Sequence, residues 1–462
     1  MAQFTSSEAT RHFSPAASLA ALGIHLRQID LFGPIRAGVK IAQKTVKFAP
    51  IDKLYDAFIS ILAGAHGLCE INTRLRSDVA LQAAFGRSAC ADQSVVQDTL
   101  NACTAEQVTQ LDQALTTIYR KYGQGYAHDY TAAWQILDAD LTGLPCGKKA
   151  AFATKGYFPQ QRYRRGRQLG RVLASTYHEI VVDQLFNGTT YLRTALRSLI
   201  TAAEQVLAVE EDVAKRARTI VRIDAGAGSV AEINWLLERN YQVIAKDYSG
   251  QRAQKLAESV TDWVDDPHID GRQVGWVREE ATAYVRAVRR IAVRCRKQNG
   301  QWGVGVIIAT LAPADVLALT GQPPSKITDD ATVLLAYVYF YDQRGGGVET
   351  AFKDDKQGLG ITKRNKKRFE AQQIVMLLNV LAHNVLVWAR GWLAAALPQI
   401  RRYGLMRLVR DIWHISGFVE SDRQGHLTRI VLNQLAPLAQ GLGAALHRLL
   451  APTHVVVNLG QT

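Results

Sequence analysis

The chain has 462 residues, 48% hydrophobic and 21% charged, and its 55 Lys+Arg against 41 Asp+Glu leave a formal charge of +14. This length allows roughly two to four structural units, and the apolar content excludes a disordered chain. The basic excess points to a polyanionic partner. Five cysteines, Cys69, Cys90, Cys103, Cys146 and Cys295, form no C-x-x-C pair, which argues against a zinc site and fits buried thiols in a reducing cytoplasm. The opening MAQFTSSEATRHFSPAAS has no basic start followed by an apolar core; no secretion signal and a cytoplasmic location are expected.

From about Pro50 to Leu115 the pattern is helical. Pro50 stands at a helix start, and Leu54, Phe58, Ile61 and Leu62 recur at helical spacing. In CADQSVVQDTLNACT, Asp92 or Ser94 is placed to cap a short helix. Its Val95, Val96 and Leu100 are expected inside, with Gln93, Gln97 and Thr99 outside. Trp134 to Leu141 reads as a strand ending in a Gly/Pro turn, and RVLASTYHEIVVDQLFNGTT continues with strand character. A helix over about 191–217 precedes the strand TIVRIDAG, the helix SVAEINWLLERN and the strand YQVIAKDY. Asn299-Gly300 between two strand-like runs predicts a tight hairpin. The apolar stretch AQQIVMLLNVLAHNVLVWARGWLAAAL carries Asn379, His383, Asn384 and Arg390, which favours a buried helix over a membrane span. The last sixty or so residues read as short strands and a helix.

The predicted fold class is α/β. The expected division is a helical N-terminal DNA-binding domain (1–125), a catalytic sheet domain in two parts (126–250 and 336–398), a β-rich insertion between them (251–335), and a C-terminal region (399–462) suited to dimerisation.

RIDAGAGSVAEI admits two chemistries. Gly226, Gly228 and Ala231 fit G-x-G-x-x-A, with Asp247 about twenty residues on, as in a dinucleotide or S-adenosylmethionine cradle. Alternatively Asp224, at a strand end, is a metal ligand together with Asp140 at the end of an earlier strand and Glu349 near a helix start. Three such carboxylates in one cleft repel one another unless a cation joins them, and hard oxygen ligands suit Mg²⁺ or Mn²⁺. Asp138 competes with Asp140, because strand alternation points both to the same face. Asp224 can equally cap the following turn, and Asp354, Asp355 and Glu370 are rivals to Glu349.

LDADLTGLP, RIDAGAGS and YDQRGGGVETAFKDDK resemble the three acidic motifs of DDE-type transposases of bacterial insertion sequences, in the subgroup with a Tyr-Arg-Glu-Lys signature. The resemblance covers about residues 125–400. It implies an RNase H-like catalytic domain interrupted by a β insertion, with Asp140, Asp224 and Glu349 as catalytic residues holding a pair of Mg²⁺ or Mn²⁺ ions. It also favours Asp140 over Asp138, since Thr142 follows two residues later. Tyr341, Arg344 and Lys356 would position DNA, with the spacing Y-x2-R-x4-E-x6-K where the subgroup has Y-x2-R-x3-E-x6-K. On a continuous helix, residues five apart point about 140° away from each other, so Arg344 and Glu349 should not cooperate there. Gly345 to Gly347 predict a loop that absorbs the extra residue.

Between Asp140 and Glu179 lie Lys148, Lys149, Lys155, Arg162, Arg164, Arg165, Arg167 and Arg171 without one acid, interleaved with Tyr157, Phe158 and Tyr163. A second basic run is Lys363, Arg364, Lys366, Lys367 and Arg368. Both are expected to track phosphates, although a solvated face is the plainer alternative. Trp276 or Trp302, in the insertion, would stack on a base, unless both are core residues. The expected function is cut-and-paste transposition by a homodimer on double-stranded DNA, acting on terminal inverted repeats and target. A non-catalytic DNA-binding relative and a nucleotide-cofactor enzyme are the alternatives.

Overall fold

The computed structural model describes residues 10–45, 47–156, 158, 161 and 163–461. In chain order its strands are β1 (Thr10–Ser14), β2 (Gln135–Pro145), β3 (Thr154–Lys155), β4 (Arg165–Ala174), β5 (Glu179–Asn187), β6 (Thr219–Ile223), β7 (Gln242–Lys246), β8 (Val264–Asp265), β9 (Arg272–Trp276), β10 (Arg289–Arg296), β11 (Trp302–Ala309), β12 (Gly417–Ser421), β13 (Leu427–Asn433) and β14 (Val456–Gly460). The chain divides into two compact units, one of residues 124–145 and 153–352, the other of residues 1–123, 146–152 and 353–462.

The first unit is built on a ten-stranded sheet in the order β3-β4-β2-β6-β7-β11-β10-β9-β8, with β5 also paired to β4. β2, β4 and β5 are antiparallel neighbours, while β2, β6 and β7 run parallel. Parallel neighbours need crossovers, supplied by the helices Leu192–Leu207 and Val230–Glu238. The helix expected over 191–217 is interrupted, because Ala208 takes a left-handed conformation (φ 54°) and Asp212 caps a new helix, Val213–Ala217, by accepting from the Lys215 amide at 2.9 Å.

Residues 251–335 do not fold apart from this sheet. β11 pairs antiparallel with β7, so β8 to β11 prolong the same sheet. Asn299-Gly300 forms the expected hairpin, with Gly300 at φ +78° and Lys297 N donating to Gln301 O at 2.8 Å. The helix Asp330–Arg344, running through the boundary expected near 335, buries Val333, Tyr337 and Phe340 against Ile220, Ile244, Ile291 and Ile307. Each such side chain contributes roughly 1.5–3 kcal/mol.

The second unit is mainly helical. Pro50–Leu62 and Gln93–Ala102 are the helices predicted there, the latter capped by Asp92. Two orientations differ from the helical-wheel expectation. Val95 is exposed, and Thr99 is buried because its hydroxyl donates to Gln43 Oε1 at 2.6 Å. Phe369–Ala394 is long and apolar enough to cross a membrane, yet it is mostly buried within the protein. β1, β12, β13 and β14 form a four-stranded sheet flanked by the helix Ala439–Leu450.

Candidate active site

The acids follow from strand register. β2 and β6 are parallel, with Asp138 opposite Arg222 and Ala139 opposite Ile223. The next residues are Asp140, still inside β2 and opposite Arg171 of β4, and Asp224, the first residue beyond β6, so the two lie side by side with backbones about 5 Å apart. β2 itself runs on to Pro145, past the strand end expected near Leu141. Asp224 also serves the turn, accepting from the Gly226 amide at 2.8 Å through Oδ1. Asp140 Oδ1 accepts from the Leu141 amide at 2.7 Å.

Glu349 reaches this pair through Arg344. The guanidinium is buried, donating from Nη2 to Asp140 Oδ2 at 2.8 Å and from Nη1 to Glu349 Oε1 at 2.8 Å. The five-residue separation does not part them, because the helix does not run through: the chain breaks helical geometry within the glycine run, as Gly345 to Gly347 predict, and resumes in a new direction before Glu349. Gly347 sits at the kink (φ −89°, ψ −107°), where a Cβ would come within 2.4 Å of Asp138 Oδ2.

The electrostatics match this crowding. Burial pushes the Asp140 carboxyl up to about 6, Arg344 opposes the rise and Asp224 adds to it. Burial works against the charge on Arg344, but Asp140 and Asp224 outweigh it and raise its pKa. Asp140 and Asp224 fit a hard divalent cation by donor type and adjacency. Glu349 is more than half exposed and held by Arg344, and among the described residues no three metal-ligating side chains gather at one point.

Asp138 is a different residue from Asp140 in every respect but its face. It is fully buried, and its carboxylate accepts from Arg222 Nε at 2.5 Å, from Arg222 Nη2 at 2.8 Å and from Ser175 Oγ. The glycines after Asp224 are structural too. A Cβ on Gly228 would lie 1.7 Å from the Lys246 carbonyl oxygen, so the turn must pack against β7. Asp247, the acid a ribose would need, is buried and paired with Arg252 at 2.5 Å. The cofactor-cradle alternative loses both its parts.

Residues 39–450 match the family described as transposase DDE domain group 1. The chain belongs to that family of DDE transposases. Among solved structures it is similar to the piggyBac transposase synaptic complex with hairpin DNA, at 11% identity and a TM-score of 0.45, covering 87% of this chain and 82% of that one. No curated protein matches.

The other residues picked out in this DDE transposase separate by burial. Tyr341 is half-buried, with its hydroxyl pKa raised by burial, and lines a cavity of about 770 Å³ together with Trp302, Lys246 and Lys297. Trp302 is partly exposed beneath the Arg294 guanidinium, 4.6 Å from its ring. Trp276 is a packing residue, edge-on to Tyr337 at 5.8 Å with Nε1 donating to Asp330 Oδ1 at 2.8 Å.

Of the first basic run, Lys148, Lys149, Lys155, Arg164 and Arg165 are exposed. Arg167 and Arg171 are buried, and Arg171 makes a two-pronged ion pair with Asp183, both contacts 2.8 Å. Phe158 is buried against Gly143 and Gly166, Tyr163 is exposed, and Arg162 and Tyr157 lie outside the described residues. In the second run Lys363, Lys367 and Arg368 are exposed, whereas Arg364 donates to the Leu359 and Ala65 carbonyls and Lys366 to Gln97 Oε1 at 2.8 Å. That run is partly internal scaffolding of the helical unit. Lys356 is half-buried and belongs to the helical unit. The residues missed from sequence are Arg222, Ser175 and Asp183, although a lone charge in a buried apolar strand was the available signal.

Proposed function

We propose that this DDE transposase performs cut-and-paste transposition of a bacterial insertion sequence of the Tyr-Arg-Glu-Lys subgroup. It binds terminal inverted repeats as a homodimer, nicks each end by hydrolysis, and directs the freed 3′-hydroxyl in line onto a target phosphodiester, with no covalent enzyme intermediate. It works in the cytoplasm on the nucleoid. The observation that carries this reading is the adjacency of Asp140, within β2, and Asp224, just beyond the parallel neighbour β6, beside a guanidinium that Asp140 shares with Glu349. The strand order β5-β4-β2-β6-β7 supports an RNase H-like catalytic core.

Asp140 and Asp224 would hold Mg²⁺ or Mn²⁺, two ions when Glu349 completes the set. Bound there, the ions supply an acidified water and neutralise the leaving oxygen. Arg344 keeps Asp140 charged and Glu349 near, and it stands where a scissile phosphate needs a positive partner. Tyr341, Lys356 and Trp302 position the strand, and Lys155, Arg164 and Arg165, with Arg162, follow the backbone. Helices of residues 1–125 supply duplex recognition and residues 399–462 dimerisation.

The decisive experiment is a nicking assay on a duplex carrying the element's own terminal repeat, with and without Mg²⁺ or Mn²⁺. Metal-dependent cleavage should vanish in Asp140→Asn, Asp224→Asn and Glu349→Gln while end binding persists. Cleavage that survives any of these three substitutions would remove that residue from the site.

A further inference from the structure

One pleat beneath the acids lies a second, buried set of polar groups. Asp138 and Arg222 face each other across β2 and β6, each two residues before an acid of the site. Arg222 is 3% exposed, and besides its two bonds to Asp138 it donates from Nη1 to the Phe340 carbonyl at 2.9 Å. Phe340 lies one turn before Arg344 on the helix Asp330–Arg344. Ser175, just after β4, donates to the same Asp138 carboxylate, which fills the space a Cβ on Gly347 would need. A single ion pair therefore joins both acid-bearing strands, the end of the helix carrying Arg344, and the glycine kink that delivers Glu349.

We propose that Asp138 and Arg222 are positioning residues that set the Arg344–Glu349 turn against Asp140 and Asp224; this rests on the transposition reading above. A buried pair of this kind is a poor source of stability compared with apolar packing, so its use here is geometric. Displacing a reacting group by about 1 Å can cost on the order of 100-fold in rate.

The test uses the full chain with Arg222→Lys, which keeps the charge but not the fork, and Ser175→Ala as a milder variant should the first not fold. Arg216→Lys is the control, since Arg216 is also buried in this unit but donates to the Val209, Glu210 and Arg239 carbonyls, away from the acids. Strand cleavage is measured as kcat and KM on the terminal-repeat duplex, and amide hydrogen exchange over residues 345–350 is measured without DNA. Arg222→Lys should lower kcat about 10- to 100-fold with KM within about twofold, and should speed exchange over 345–350. Arg216→Lys should do neither. An unchanged kcat, a loss matched by Arg216→Lys, or unaltered exchange would overturn the proposal. An unsubstituted protein that cuts no DNA sinks the transposition reading instead, and the exchange measurement then decides the positioning role alone.

Discussion

Arg344 and Glu349 are five residues apart and their side chains meet at 2.8 Å, because a kink at Gly347 stands where a continuous α-helix would have sent them to different faces. The extra residue relative to the related signature is thus absorbed at the break between two helical segments, and the ion pair survives it.

That turn depends on one glycine of the three. A Cβ at Gly347 would strike Asp138, whereas Gly345 and Gly346 have nothing within 4 Å. Gly347→Ala should destabilise the protein by about 1–3 kcal/mol through overpacking. Gly346→Ala should be neutral or stabilising by up to about 1 kcal/mol. Urea denaturation of the two variants checks the contrast.

The basic run after Asp140 should split in the same way. Replacing Lys155, Arg164 or Arg165 with Gln should leave stability unchanged and reduce the slope of log affinity against log salt by about 0.9 for each phosphate no longer neutralised. Arg171→Met, which strands the buried Asp183 carboxylate, should cost about 3–5 kcal/mol of folding stability. DNA binding titrations at several salt concentrations, paired with thermal unfolding, separate the two classes.

The two tryptophans make a similar pair. Trp276→Ala removes a ring packed on Tyr337 and should cost about 3–5 kcal/mol. Trp302→Ala should change stability by less than about 1 kcal/mol. It should nevertheless weaken binding of a frayed, single-stranded end by about 1–3 kcal/mol if the ring stacks on a base. Calorimetric unfolding and titration with frayed and blunt duplexes give both numbers.

Lys366 offers a pH test. Burial, and secondarily Arg364, lowers its pKa from 10.5 to about 8. A base with a depressed folded pKa binds fewer protons folded than unfolded, so its charge is a full cost below about pH 8 that is relieved as pH rises toward 10.5. The stability of the unsubstituted protein relative to Lys366→Met should therefore rise by about 2–3 kcal/mol between those limits. Equal pH dependence in the two proteins would contradict it.

Local signals were enough to place most elements. Pro50, Asp92 and Ser229 start helices where their side chains or ring geometry dictate, and Asn299-Gly300 turns a hairpin. The strand before Asp224 was legible from an apolar run that stops at the acid, whereas β2 runs on through Asp140 to Pro145, because its pairing with β4 continues beyond the acid. The bend at Ala208 carried no such signal, since alanine normally prolongs a helix.

The succession of helices and strands, and the acid that follows β6, were thus written locally, because capping, turn chemistry and alternation act over a few residues. It took the folded chain to establish that Asp138 is locked by Arg222 while Asp140 faces Arg344, that the kink at Gly347 turns Glu349 back onto Arg344, and that Arg167, Arg171, Arg364 and Lys366 lie inside. The reason is that a charge's role depends on which distant partner removes it from water, and partners such as Arg222, 84 residues from Asp138, leave no local trace.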